Sequence, residues 1–161
     1  MNTITHALLP VIVVSLCERV DRGVQRKRIF STREILFVGI FGAAPDLLNP
    51  HLSLAARYTS WSHGLPFWIA LTIALMIGFR FYRTRLPLRL VICFSVAYAL
   101  HLICDLIAGG LAFWYPFAPL VLGQYWVPPQ WWAWIDASCV LIVYVLWRIL
   151  PHIHRSQETK M

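Results

Sequence analysis

The 161-residue chain alternates long apolar runs with short polar or charged segments. Runs of this kind predict membrane-spanning helices, because about 20 apolar residues are needed to cross a bilayer. The first run is short for a span, so it is expected to tilt or to thin the bilayer locally. The predicted spans are Thr3–Leu16, Ile35–Leu48, Gly64–Phe79, Leu90–Ala108 and Trp131–Leu150. The pattern therefore predicts an all-α, polytopic bundle of about five transmembrane helices.

The segments between the runs complete this picture. Residues 111–130 carry no charged side chain but hold four prolines and two Trp/Tyr pairs, which is typical of a re-entrant or interfacial segment. Charged loops are predicted at 18–28 and 80–89, and a polar loop at 51–62. The tail at about 154–161 is predicted to be disordered. We expect residues 1–161 to form a single membrane-embedded domain.

Composition supports the membrane class. Hydrophobic residues make up 59% of the chain, charged residues only 13%, and the mean hydropathy is +0.64. The four cysteines are scattered through apolar runs and none forms a CxxC pair. The sequence therefore indicates neither a disulfide framework nor a thiolate metal site.

Basic residues fall on one side of the predicted bundle. Thirteen of the 14 lysine and arginine residues follow the first, third and fifth spans, and Arg57 alone lies on the other side. The positive-inside rule then places the N-terminus outside and the C-terminus in the cytoplasm. This distribution explains the net charge of +7 without a nucleic-acid partner. The basic residues are instead expected to contact anionic membrane lipids.

The same topology brings ionisable residues to the outer ends of the spans. His101 and Asp105 lie one turn apart on one helix face. Such groups are costly in a membrane, and almost no basic residue is available to pair with the carboxylates, so a metal cation is the expected partner. Taken alone, His101 and Asp105 could instead be a hydrogen-bonded pair that tightens helix packing. The residues of this outer layer are His6, Asp46, His63, His101, Asp105 and Asp136.

Several short motifs occur in a characteristic order. They are Thr3-Ile4-Thr5-His6-Ala7-Leu8-Leu9, Ala44-Pro45-Asp46, His101-Leu-Ile-Cys-Asp105, Trp114-Tyr115-Pro116-Phe117 and Trp134-Ile135-Asp136. In order and spacing they resemble the YdjM-like (LexA-regulated) inner-membrane metal-dependent hydrolases. One block departs from that family. Its His-Arg-Gly-x-Thr-His-Ser reads Arg57-Tyr-Thr-Ser-Trp-Ser-His63-Gly here, so the first histidine is missing and Arg57 is displaced by two positions.

The resemblance implies a metal-dependent hydrolase whose metal ligands are His6, Asp46, His63, His101 and Asp105. Such ligands suit zinc, with manganese or iron also possible. A water activated at this metal would attack an ester or phosphoester of a lipid-linked or small periplasmic substrate. Asp136 is expected to act as the base and Arg57 to hold a phosphate, while Gln124 and Tyr125 line the mouth of the site. The family's distant similarity to zinc-dependent phospholipases C and single-strand nucleases supports phosphoester chemistry by analogy.

Two other classes remain open from the sequence. One is a non-catalytic membrane protein in which the histidine and aspartate layer is structural or only binds metal. The other is a small transporter with a relay of ionisable groups. A relay would distribute those groups along a span, whereas here they gather at one end, which disfavours the transporter. Bound metal with an open coordination position would separate an enzyme from a scaffold.

Overall fold

The computed structural model describes residues 2–25, 29–50, 53–83 and 86–152. This part of the chain is mostly helical, which confirms the predicted all-α class. Short 3-10 turns precede α4 and α6, at Trp61–His63 and Pro129–Trp131, and α6 continues through a π-helical turn at Val145–Ile149. The α-helices are α1 (Thr3–Gln25), α2 (Thr32–Leu48), α3 (Leu54–Arg57), α4 (Leu65–Phe81), α5 (Leu88–Ile107) and α6 (Trp132–Tyr144).

Three helical stretches are long and apolar enough to cross a membrane. They are Thr3–Val20, Leu88–Ile107 and Pro129–His152, with mean hydropathies of 1.5, 2.2 and 1.8. α4 is apolar but shorter, at 17 residues, and α2 also has 17 residues. Helices of this length lie at the lower limit of the range of about 17–25 residues that spans a bilayer. The long apolar helices support a membrane location, whereas the five-span count and the orientation stay predictions.

α1 is longer than its apolar run. The charged loop predicted at 18–28 is wrong for residues 18–25, because α1 continues to Gln25. Glutamate, arginine and glutamine lose little side-chain freedom in a helix, so the charged sequence sustains it. Glu18 is buried and accepts hydrogen bonds from the backbone N–H groups of Ile29 and Phe30, which holds the following connection against α1.

A second predicted loop also differs from expectation. The polar loop predicted at 51–62 contains α3 and most of the 3-10 turn before α4. α2 begins at Thr32, three residues before the predicted span, because Ser31 and Glu34 form a capping box at its N-terminus. The predicted disordered tail at 154–161 lies outside the described residues.

The segment between α5 and α6 is largely non-helical, as expected, but it contains a hairpin that the sequence pattern does not predict. β1 (Leu111–Ala112) pairs antiparallel with β2 (Val121–Leu122). The turn back to α5 passes through Gly123, whose φ is +102°. A Cβ atom there would overlap with the carbonyl oxygen of Leu106, so only glycine fits. The hairpin therefore packs against the C-terminal end of α5.

α2 lies at the centre of the bundle, packed between α1 and α5, while α6 packs on α1 and α4 packs on α5. Small residues allow α1 and α2 to approach closely. A Cβ atom added at Gly42 would overlap with the carbonyl oxygen of His6. This close contact brings the first turn of α1 to the end of α2, where Asp46 lies.

Candidate metal centre

The structure brings five predicted ligands together in one buried cluster. α1 supplies one of them, the last turn of α2 another, the 3-10 turn before α4 a third, and α5 the remaining pair. Four of the side chains are at most 2% exposed, whereas Asp46 is 14% exposed and marks the open side of the cluster. The five residues are His6, Asp46, His63, His101 and Asp105.

Two imidazole nitrogens and two carboxylate oxygens lie close to one another in this cluster. His63 Nε2 lies 3.2 Å from His101 Nε2. Asp46 Oδ1 lies 3.2 Å from the first and 3.6 Å from the second of these nitrogens. Asp105 Oδ2 lies 3.6 and 3.3 Å from the same two atoms. Metal bonds of about 2.0–2.2 Å in a tetrahedron give ligand separations of about 3.3–3.6 Å. The measured separations are of this size, and three of these residues, His63, His101 and Asp105, form one group whose ligand atoms lie close enough together to hold an ion.

Hydrogen bonds to the outer nitrogens orient the two imidazoles. His101 Nδ1 lies 2.8 Å from the carbonyl oxygen of Gly42, which can only accept, so Nδ1 carries the proton. The neutral ring then directs the Nε2 lone pair toward two carboxylates and a second imidazole. A histidine whose far nitrogen donates to a carbonyl is the usual arrangement of a metal ligand.

His63 is oriented by hydroxyl groups that sequence reasoning missed. Its Nδ1 lies 2.9 Å from Ser60 Oγ and 3.2 Å from Ser62 Oγ. Ser62 Oγ also donates to the carbonyl oxygen of Pro45, and the Tyr98 hydroxyl donates to the Ser62 carbonyl. The only sequence signal for these residues is the Ser-Trp-Ser run that precedes His63.

Protonation of His63 is disfavoured by its surroundings. His63 lies in the connecting turn before α4, and burial lowers its pKa below the usual value, although the hydrogen bond to Asp46 acts in the opposite direction. The neutral form is the one that binds a metal ion. Asp46 is itself fixed on its far side, because Thr3 Oγ1 donates to Asp46 Oδ2 at 2.6 Å.

His6 completes the cluster from α1. Its ring stacks on His101 with 3.7 Å between centroids, and its Nε2 lies 3.2 Å from Asp105 Oδ1. Neither ring nitrogen of His6 makes a well-aligned hydrogen bond with a described residue, although the side chain is fully buried. Buried polar atoms without a partner are costly. With Asp46 and His101, His6 also forms a second group of three donors able to hold an ion.

Arg57 contacts the cluster directly. Its Nη1 lies 2.6 Å from Asp105 Oδ1, and its Nη2 donates to the Ala108 carbonyl at 3.3 Å. The expectation that the carboxylates have almost no basic partner is therefore wrong for Asp105. With neutral imidazoles, the cluster and Arg57 together carry one net negative charge, which a divalent cation would offset. The predicted contact of Arg57 with a substrate phosphate stays a prediction.

Asp136 lies beside the cluster and is not one of its donors. Its carboxylate accepts hydrogen bonds from the Thr5 backbone N–H at 3.0 Å, from the Thr5 hydroxyl and from Asn2 Nδ2 at 2.6 Å. Asp136 thus holds the first turn of α1, which carries His6. Within the described residues it makes no hydrogen bond or ion pair with the five clustered side chains. Its predicted role as a base stays untested.

Two residues predicted to line the mouth of the site, Gln124 and Tyr125, lie in the segment that follows β2. The backbone of Gln124 exchanges hydrogen bonds with the end of α5, through Leu106 and Gly109. Tyr125 is half exposed and forms a bridge with Ala108. Both therefore lie next to the segment that Arg57 contacts.

Comparison with known proteins gives one match. A family model described as YdjM inner membrane protein matches residues 1–158. No curated protein matches the chain. No solved structure matches it either.

Proposed function

Because the chain belongs to the YdjM inner membrane protein family, we propose that it is a membrane-bound, metal-dependent hydrolase. The observation that supports this most is the buried group of His63, His101 and Asp105, whose ligand atoms lie close enough together to hold one ion, with Asp46 Oδ1 3.2 Å from His63 Nε2. The substrate proposed is an ester or phosphoester that is either lipid-linked or small and periplasmic. On the positive-inside reading the cluster lies at the periplasmic end of the bundle.

The donor set suits zinc, and manganese or iron are alternatives. Both groups of donors consist of histidine and aspartate only, and imidazole with carboxylate is a ligand set that these metals accept. When bound, such an ion supplies a Lewis acid and lowers the pKa of a coordinated water toward about 7. The protein supplies the rest, which is ligand orientation, charge balance and control of access.

Access to the cluster is through Asp46, the one partly exposed member. Substrate would approach the side of the site that contains Asp46 and Thr3. The Arg57–Asp105 pair and the His6 ring, which stacks on His101, are buried and exclude water from their part of the site. We infer that the main role of Arg57 is to hold the Asp105 carboxylate in position. A further contact of Arg57 with an anionic substrate would require its buried guanidinium to become reachable.

Asp136 is better suited to positioning than to proton transfer. Both of its oxygen atoms already accept hydrogen bonds, from Thr5 and Asn2. A general base must reach the proton that it removes, directly or through one water. We infer that Asp136 sets the position of His6 through the first turn of α1.

The direct experiment is metal analysis of the detergent-purified protein, combined with an activity screen on phospholipids and small phosphoesters. The proposal expects about one tightly bound transition-metal ion per chain and metal-dependent hydrolysis of at least one substrate class. Chelation should abolish that hydrolysis, and re-addition of zinc, manganese or iron should restore it. Protein that carries no tightly bound metal and hydrolyses none of the substrates would overturn the proposal.

A metal-binding protein without catalysis is the second candidate. The burial of the cluster and the ion pair between Arg57 and Asp105 favour it, since a closed site resembles a structural metal site. Stoichiometric metal without hydrolysis of any screened substrate would support this alternative. A small transporter is less well supported, because the clustered groups lie at one end of the helices that carry them.

A further inference from the structure

A cavity with both polar and apolar walls lies at the opposite end of the bundle from the metal centre. It has a volume of about 330 Å³ and lies between the second half of α1, the start of α2 and the end of α6. Arg19, in its wall, follows His6 by 13 positions on α1, which is about 20 Å along a helix. On the positive-inside reading this cavity opens at the cytoplasmic headgroup layer.

Two arginines line the cavity and give it a positive charge. Arg148 is exposed and makes no hydrogen bond or ion pair within the described part of the chain. Arg19 lines the cavity from α1 and donates through Nη2 to the carbonyl oxygen of Leu146. Glu18 also lines the cavity, but its carboxylate accepts the backbone N–H groups of Ile29 and Phe30. The three charged side chains together leave a net positive charge.

The π-helical turn at the end of α6 explains why Arg19 is held there. Leu150 N–H donates to the Val145 carbonyl, five residues back. Pro151 has no N–H to donate. The Leu146 carbonyl therefore lacks its usual helical donors, and the Arg19 guanidinium takes their place. This contact fixes the Arg19 guanidinium at the cavity wall.

The remaining walls suit a lipid headgroup. Ser15 and Thr32 add hydroxyl groups, and the Trp147 indole donates to Ser15 Oγ at 3.0 Å. Ile35 and Leu146 add apolar surface. Guanidinium groups bind phosphate oxygens strongly, and basic pockets between membrane helices on the cytoplasmic side bind anionic headgroups. We propose that this cavity binds the phosphate group of an anionic phospholipid of the inner leaflet.

The test measures lipid-dependent stability of the purified full-length chain. Thermal melting is followed in detergent with added phosphatidylglycerol, with phosphatidylcholine and with inorganic phosphate alone. Phosphatidylglycerol should raise the melting temperature more than phosphatidylcholine, and inorganic phosphate should not reproduce the effect. If inorganic phosphate alone gives the same shift, the lipid part of the proposal is overturned. Equal shifts with both lipids would overturn it entirely.

Two matched variants locate the effect. Arg148→Gln should weaken phosphatidylglycerol binding about tenfold, as expected for one charge-assisted contact. Arg80→Gln removes the same charge from an exposed position on α4 and should leave binding unchanged. Arg148 is preferred to Arg19 as the test position because Arg19 also satisfies the Leu146 carbonyl. An equal loss in both variants would point to nonspecific attraction and would contradict the proposed site.

Discussion

Arg57 and Asp105 form a buried ion pair with 2.6 Å between Nη1 and Oδ1, and both side chains are almost fully inaccessible. The other oxygen of Asp105, Oδ2, faces His63 and His101. One carboxylate thus joins a guanidinium on one side to the predicted metal ligands on the other. Such a pair is expensive to break, because the remaining charge is left buried without compensation.

Arg57→Ala should therefore destabilise the protein by about 3–5 kcal/mol and should reduce metal binding at the same time. Thermal melting and metal content of the purified variant measure both effects. Arg80→Ala serves as the control, because Arg80 is exposed on α4. A variant that keeps its stability and its metal, and only raises KM for an anionic substrate, would favour the substrate role expected from the sequence.

His101→Ala and His63→Ala should each lower metal affinity by at least about 100-fold, because each removes a direct ligand. Mutation of residues that only hydrogen-bond to metal ligands typically lowers metal affinity by about 10–100-fold. The measurement is metal content after dialysis against a weak chelator. His152→Ala, an exposed histidine at the end of the last helix, should retain full metal content. Unchanged metal content in both cluster variants would show that these histidines are not ligands.

Asp136→Asn should keep metal but lower turnover, because the amide offers only one acceptor oxygen to Thr5 and Asn2. A double-mutant cycle with His6→Ala separates the two roles of Asp136. If Asp136 acts by positioning His6, the double variant should be about as impaired as His6→Ala alone. Fully additive losses would instead support an independent role as the base.

Gly42→Ala should destabilise the bundle by about 1–3 kcal/mol and should weaken metal binding, since the added Cβ overlaps with the His6 carbonyl and pushes α1 from α2. Gly78→Ala is a matched control in α4, where the nearest atom to the new Cβ is a Leu86 methyl group at 3.5 Å. That change should be neutral or slightly stabilising, because alanine is the better helix former. Equal effects at both positions would argue against a close contact of α1 with α2.

A reporter fused after Met161 should show a cytoplasmic C-terminus. In the predicted topology, 13 of the 14 basic residues lie on the same side of the membrane as the C-terminus, and basic residues favour the cytoplasmic side. Paired alkaline phosphatase and fluorescent protein fusions measure this. A fusion within the hairpin segment, which is predicted to lie outside, is the control for the opposite side. A periplasmic signal from the C-terminal fusion would refute the five-span arrangement.

Local patterns in the sequence determined the class of protein, most of the helices and the membership of the candidate site. Hydropathy depends on the composition of each run, and the charge asymmetry depends only on which loop holds each residue. His101 and Asp105 share a helix face because helical periodicity fixes it. From these local facts the five clustered residues could be assigned to one end of the bundle without knowledge of any contact.

Tertiary structure alone decided which atoms meet. Asn2 reaches Asp136 across 134 positions of the chain, and Arg57 reaches Asp105 from a four-residue helix that the pattern did not predict. Such contacts depend on the rotation and separation of packed helices, which Gly42 and the hairpin after α5 help to set. Helix periodicity contains no information on these quantities, because many rotations bury the same apolar face. For that reason the sequence could name the residues of the cluster but could not identify Arg57 as the partner of Asp105 or Asp136 as the support of His6.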